Sequence, residues 1–289
     1  MKFLVPLLFL AIHSASAQST VFWQYTYYKS FLTSLRECAE YYEVSNCDLN
    51  AYIEASYPSN EIVKKLIRCT LYGLGAWDDN AGVQENVIQS FFIPALEDTC
   101  YLDRTRECLK SIECGNVYDK AYGSFQCYYN HFGNLSPDEK FLPLSGEELG
   151  LLASQTFDIA DLPQCVLQKY ANGHVLDQPS FPFVLFTYLV RGGYYRIDGG
   201  LQLGNMFVQW GKSELLTPET QQCVEKAIHE SGDSAQVDIV HRIYSSCLGE
   251  ILHLDQVLEA NAKLLRDEED VSCSCNVCAD AEAPIYNKV

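Results

Sequence analysis

The chain has 289 residues, 48% of them hydrophobic, and carries 38 acidic against 20 basic side chains, a formal net charge of −18. That balance excludes a nucleic-acid partner, whose phosphates need a basic surface, and it excludes docking to anionic lipid. Its plainest consequence is solubility.

In chain order, residues 1–17 read as an export signal. Lys2 is the positive end, residues 3–12 are a short apolar stretch, and Ala15-Ser16-Ala17 is a small-residue cleavage site. The apolar run is too short to span a bilayer, and no other stretch is long enough to insert in a membrane. The expected mature chain starts at Gln18 and is secreted. All thirteen cysteines lie beyond Ala17. At this density an exported chain is disulfide-bonded, and the odd number leaves at least one thiol free or bridged to another molecule.

The periodicity is helical. Ile62, Val63, Leu66, Ile67 and Leu74 recur at three- and four-residue steps, with Lys64, Lys65 and Arg68 on the wet face. Val87, Ile88, Phe91 and Phe92 continue that pattern up to Pro94. Ser136 and Ser145 each precede a Glu by three residues and read as helix starts. Thr217-Pro218-Glu219 caps another helix. Ile251, Leu254, Val257, Leu258, Ala262 and Leu265 mark a last long one. The acidic run 267–270 is a solvated stretch before a Cys-rich tail.

The chain repeats itself. Asn46-Cys47-Asp48 and Gln164-Cys165-Val166 lie 118 residues apart, and Gly82-Val83-Gln84 meets Gly200-Leu201-Gln202 at the same offset. Each copy places an aromatic and a polar, Gly-containing turn between these anchors. The expected organisation is a signal at 1–17, one domain at 18–134, a second at 135–266, and an acidic, Cys-rich tail at 267–289.

Nothing reads as catalytic. None of His131, His174, His229, His241 and His253 has a metal-ligand spacing with another His. Gly232-Asp233-Ser234 lacks the following Gly of a serine nucleophile motif. The tail cysteines Cys273, Cys275 and Cys278 fall one ligand short of tetrahedral zinc. No cofactor and no metal are expected, and the chain is read as a binder and not an enzyme.

The cysteine pattern resembles the insect odorant-binding proteins, the pheromone/general odorant-binding family. Cys38 and Cys69 enclose 30 residues, as that family's first and third cysteines do, and Cys108 and Cys127 fall where its fourth and sixth belong. Val44-Ser-Asn-Cys-Asp48, Tyr57-Pro58, Leu71-Tyr-Gly-Leu74 and Asp119-Lys-Ala-Tyr122 fit as well. Lys65 and Tyr118 stand where the second and fifth cysteines would be, so both halves of one bridge are gone together. In the second copy Thr156 and Thr187 stand opposite Cys38 and Cys69, and Cys223 and Cys247 remain.

The resemblance implies an all-α protein of two tandem six-helix domains with bridges Cys38–Cys69, Cys108–Cys127 and Cys223–Cys247. A Cys100–Cys114 bridge stays open, and Cys47, Cys165 and the tail cysteines are unassigned. It implies transport of a small hydrophobic ligand, an odorant, pheromone or fatty-acid-like semiochemical, with a chemoreceptor or a host mediator as further partner. Phe91, Phe92, Tyr122, Phe125, Phe186 and Phe207 are the candidate ligand contacts. Two rival readings remain: a salivary scavenger of biogenic amines or lipid mediators, and a structural or interaction protein whose pockets have filled in.

Overall fold

The computed structural model describes residues 27–112 and 115–268, with backbone alone for 266–268. The export signal, Cys114 and the tail cysteines therefore lie outside the described residues. The fold is all-α with four minimal antiparallel pairs.

Polar residues in extended backbone start the helices, because the first turn has N–H groups with no partner inside the helix. Strand β1 (Tyr28–Lys29) leads to Ser30, which caps α1 (Phe31–Tyr41) by accepting from the Thr33 amide. Ser45 caps α2 (Asn46–Glu54) and Asn60 caps α3 (Glu61–Gly73) in the same way. The hairpin of β2 (Trp77–Asp78) and β3 (Gly82–Val83) follows, then α4 (Glu85–Ile88) and a 3-10 turn at Gln89–Phe91. Strand β4 (Phe92–Ile93) precedes α5 (Tyr101–Lys110) and α6 (Val117–Cys127), which runs into a π-turn at Tyr128–Phe132.

Strands β5 (Asn134–Leu135) and β6 (Lys140–Phe141) form the seam. The order of elements then recurs: α7 (Gly146–Ile159), α8 (Gln164–Ala171), α9 (Phe181–Arg191), the hairpin β7 (Tyr195–Arg196) and β8 (Gly200–Leu201), and α10 (Leu203–Trp210). Next come α11 (Pro218–Ser231), α12 (Gln236–Ile243) and a second π-turn at Tyr244–Leu248. Helices α13 (Gly249–Leu252) and α14 (Leu254–Glu268) have no counterpart among the described residues of the first half.

The two hairpins share one register. Trp77 pairs with Val83 and Tyr195 with Leu201, 118 residues on. Gly82 and Gly200 take φ of +84° and +65°, a left-handed geometry that side chains resist, so the turn needs glycine in both copies.

Three local expectations are corrected. The helix before Pro94 stops early: Phe92 and Ile93 are extended and pair with Leu135 and Asn134. Pro94 disfavours helix at Ile93, and Gly133 permits the close crossing, since a Cβ there would lie 2.2 Å from the Ile93 carbonyl oxygen. Ser136 starts no helix: its amide donates to Phe91 O at 2.8 Å just past β5, and the chain bends through 136–139 into β6. The true cap is Ser145, which forms a reciprocal box with Glu148. The last helix is broken at His253, whose φ of 44° separates α13 from α14.

The halves touch through a mixed seam. The Phe141 ring packs edge-on against Tyr28 at 6.0 Å and Tyr194 at 5.8 Å. Gln209 accepts from the Leu144 amide at 2.7 Å and donates to its carbonyl at 3.0 Å. Asn86 Nδ2 donates to Val208 O at 2.7 Å.

Candidate functional site: an aromatic interior

Among the described residues, three cysteine pairs link the helices around the interior. Cys38 and Cys69 join α1 to α3, Cys108 and Cys127 join α5 to α6, and Cys223 joins α11 to Cys247 in the second π-turn; the S–S distances are 2.00, 2.00 and 2.02 Å. Cys165 is also disulfide-bonded. Cys47 and Cys100 are free and exposed, so the Cys100–Cys114 bridge left open above is not made. Cys100 instead occupies the position before α5, its amide donating to Asp98 at 3.1 Å.

Where a further bridge would be expected from the family pattern, a non-covalent contact stands. The Arg68 guanidinium lies over the Tyr118 ring at 5.2 Å, one helical turn from Lys65. Asp79 fixes it through the Nε–H donor at 2.9 Å and a second contact from Nη2. The carboxylate raises the Arg68 pKa further, so the cation is permanent. Such a contact is worth about 0.5–1 kcal/mol at an exposed site, far below a disulfide. Lys65→Cys with Tyr118→Cys is therefore expected to close a new bridge. A count of reactive thiols would stay at the wild-type value, and stability would rise by up to about 4 kcal/mol; two extra reactive thiols would refute it.

In the first half, Phe125 on α6 is the hub. It stacks on Phe31 at 5.3 Å and on Tyr129 at 5.5 Å, meets Tyr57 edge-on at 5.1 Å, and tilts against Phe92 at 6.2 Å. Phe92 extends the cluster to Tyr128 at 5.7 Å and Phe132 at 6.3 Å. Phe91 is fully buried beside it on the 3-10 turn. Of the residues singled out from sequence, Phe92 and Phe125 are thus brought into contact.

Tyr122 plays a different part. Its hydroxyl donates to Tyr57 O at 2.8 Å, and Gln126 donates to the same oxygen at 3.2 Å. Ser56 and Tyr57 both sit at positive φ, 57° and 58°. For a bulky side chain that backbone costs energy, and the surroundings must supply it. Tyr122 and Gln126 latch the turn and so deliver the Tyr57 ring to the interior. The sequence marks this turn only through Tyr57-Pro58.

In the second half, Phe186 on α9 is half-buried against Tyr195 at 5.9 Å, and Phe207 is half-buried on α10. The deeper residues are others. Tyr194 packs on Trp210 at 4.6 Å and stacks with Tyr188 at 6.4 Å; both tyrosines are at most 1% exposed. The Tyr194 hydroxyl donates to Gln209 at 3.0 Å, while the Tyr188 hydroxyl is buried without a hydrogen-bond partner among the described residues. Phe31, Tyr57, Tyr129 and Tyr194 were missed as interior residues, because each lies at a helix end or a turn where no apolar periodicity marks it.

Burial shifts the tyrosines. It pushes Tyr57 up to about 12, with neighbouring Tyr129 adding to the effect. Tyr128, Tyr188, Tyr194 and Tyr244 are raised by burial as well. An unfolded tyrosine ionises near 10. The fold favours the neutral phenol, so this contribution is complete below about pH 10 and is lost as the pH climbs towards 12. Phenolate absorbance and far-UV circular dichroism are expected to change together over that window, and Tyr57→Phe is expected to soften the loss. Full ionisation with the helices intact would contradict it.

Three surface grooves of about 510, 320 and 350 Å³ are lined by other residues than the six singled out. Among the described residues no helix is long and apolar enough to cross a membrane. The interior is thus aromatic, free of buried charge among the described residues, and tied by disulfides. Such a lining can hold apolar matter by dispersion and edge-to-face contacts, and it offers phenol hydroxyls for a polar end.

Residues 22–131 match the PBP/GOBP family model, which covers both bridges of the first half and the Phe125 cluster apart from Phe132. Over this segment, less than half of its length, the chain is similar to the PBP/GOBP family. A general odorant-binding protein 69 from Anopheles gambiae is 27% identical over 159 residues, covering 50% of this chain and 69% of the relative. No solved structure matches. The PBP/GOBP segment ends at His131, within the first π-turn, so the repeat of elements from α7 onward lies beyond the family match.

Proposed function

We propose that this protein is a secreted, two-domain carrier of small hydrophobic ligands, without catalysis. The family match over residues 22–131 carries the reading, and the relative named as a general odorant-binding protein supports it. The ligand class is an odorant, pheromone or fatty-acid-like semiochemical, and the first domain, 18–134, holds it. The contacts are Phe91, Phe92 and Phe125, with Tyr122 shaping the site by latching Tyr57. The second domain, 135–266, offers Phe186 and Phe207.

Because the Phe125 cluster is packed in the structure, ligand entry requires these rings to part. Binding is then slow to start and accompanied by a change in the aromatic circular dichroism of the tyrosines. The test is titration of the intact oxidised protein with the apolar fluorophore N-phenyl-1-naphthylamine, followed by displacement. Saturable uptake, displaced by fatty alcohols and not by serotonin, is the expected result. Displacement by serotonin alone would turn the reading towards an amine scavenger, and absence of any saturable site would turn it towards a scaffold.

A further inference from the structure

The bridges divide the first half into two tied parts. Cys38–Cys69 fastens α1 to α3, and Cys108–Cys127 fastens α5 to α6. Each of these four helices has a single cysteine, so no bridge crosses from one part to the other. The crossing is made instead by one face of α6, where residues 118, 119, 122 and 126 recur at helical steps. Asp119 accepts from Lys64 at 2.8 Å, and the Tyr118 ring receives Arg68 at 5.2 Å. Tyr122 and Gln126 donate to Tyr57 O at 2.8 and 3.2 Å. Phe125 crosses the same line, stacking on Phe31 of α1 at 5.3 Å. The aromatic cluster therefore lies on a joint that polar contacts close.

The turn between α2 and α3 covers this joint. Ser56 and Ser59 are exposed on its outer side. Between them the Tyr57 ring, 6% exposed, reaches Phe31 at 6.4 Å, Phe125 at 5.1 Å and Tyr129 at 5.5 Å. Phe31 and Phe125 lie deeper, at 2% and 0%. A single residue thus separates water from the rings. The backbone that holds it there is disfavoured, with φ of 57° and 58° at two consecutive residues that are not glycine. Strain kept in one state lowers the cost of leaving it. Two side-chain donors on one carbonyl oppose the release.

We propose that this turn is the entrance to the aromatic interior, with Tyr57 as its gate and Tyr122 and Gln126 as its latch. The inference rests on the carrier reading above. On opening, residues 56 and 57 relax to ordinary backbone and the Tyr57 ring withdraws from Phe125 and Tyr129. The freed faces of Phe125 and Phe31 then receive an apolar ligand, and the latch re-forms over it. Neither disulfide has to break, because the movement runs between the two tied parts.

The test uses the intact oxidised protein. Stopped-flow mixing with N-phenyl-1-naphthylamine gives the rates of uptake and release. Tyr122→Phe keeps the ring and removes one donor of the latch, and both rates are expected to rise several-fold. Ser56→Asn acts from the exposed side of the turn. Asparagine accepts left-handed backbone better than serine, so both rates are expected to fall. This variant decides the matter alone should Tyr122→Phe fail to fold. A residue that merely touched the ligand would change release alone. Without ligand, exchange of the Tyr57 amide hydrogen, which is donated to Tyr52 O at 2.7 Å, is expected to follow the same order, with the β7–β8 hairpin unchanged. Rates of uptake that ignore both variants overturn the entrance and leave the carrier reading standing, as does a change in release alone. Absence of saturable uptake by the wild type overturns both.

Discussion

Phe125→Ala is expected to lower the stability of the protein by about 3 to 5 kcal/mol, the largest effect of a single substitution in the first half. The residue is fully buried and its ring touches four others, Phe31, Tyr57, Phe92 and Tyr129, which come from α1, the latched turn, β4 and the π-turn. Those rings are set by separate elements and cannot all move inward, so removing the benzyl group leaves a void. The cost then combines lost transfer energy with lost contact along the void's walls. Urea unfolding should show a lower midpoint with an unchanged slope. A loss below about 1 kcal/mol would mean that the cluster collapses freely and is not the rigid hub of the first half.

Removing the first bridge is expected to be nearly as costly. Cys38 and Cys69 are 31 residues apart in sequence, with Cα atoms 6.0 Å apart. Closing a loop of this length in the unfolded chain contributes about 4 kcal/mol by the chain-entropy relation. Cys38→Ala with Cys69→Ala should therefore unfold at a much lower denaturant concentration, with a small added loss from the Cys38 side, which is buried. The second bridge, over 19 residues, contributes slightly less by the same relation. Unchanged stability in the double variant would show that other contacts already restrict the unfolded chain between α1 and α3.

The parts of the fold legible in the sequence are those fixed locally or by repetition. The shared offset of 118 residues between Gly82 and Gly200 translates into hairpins of equal register, because a left-handed glycine and an extended aromatic are chain-local demands. Ser145 is a cap for the same kind of reason. Ser136 carries the same local signature and fails, because its amide is taken by Phe91 O, 45 residues back. The stop at Phe91 was hidden likewise: its cause is a strand pairing with residues 134 and 135 and the bare Gly133 that allows it. Among the aromatic candidates, Phe92 and Phe125 meet, whereas Tyr122 acts on backbone through its hydroxyl, a role set by the unusual φ at Tyr57. The cysteine partners were readable only through likeness to a family, since spacing alone leaves many connectivities open.

The pairing of Tyr28 and Lys29 with Phe141 and Lys140 has one more consequence. The first strand of the described chain is stitched to residues beyond 134, so the polypeptide closes on itself at the seam like a belt through a buckle. Dissecting the protein by stopping at residue 134 would leave the Tyr28 and Lys29 backbone without its ladder and bare the Phe141-facing side of Tyr28 to water. Fragments cut at that point begin life damaged, and the two halves inherit each other's integrity.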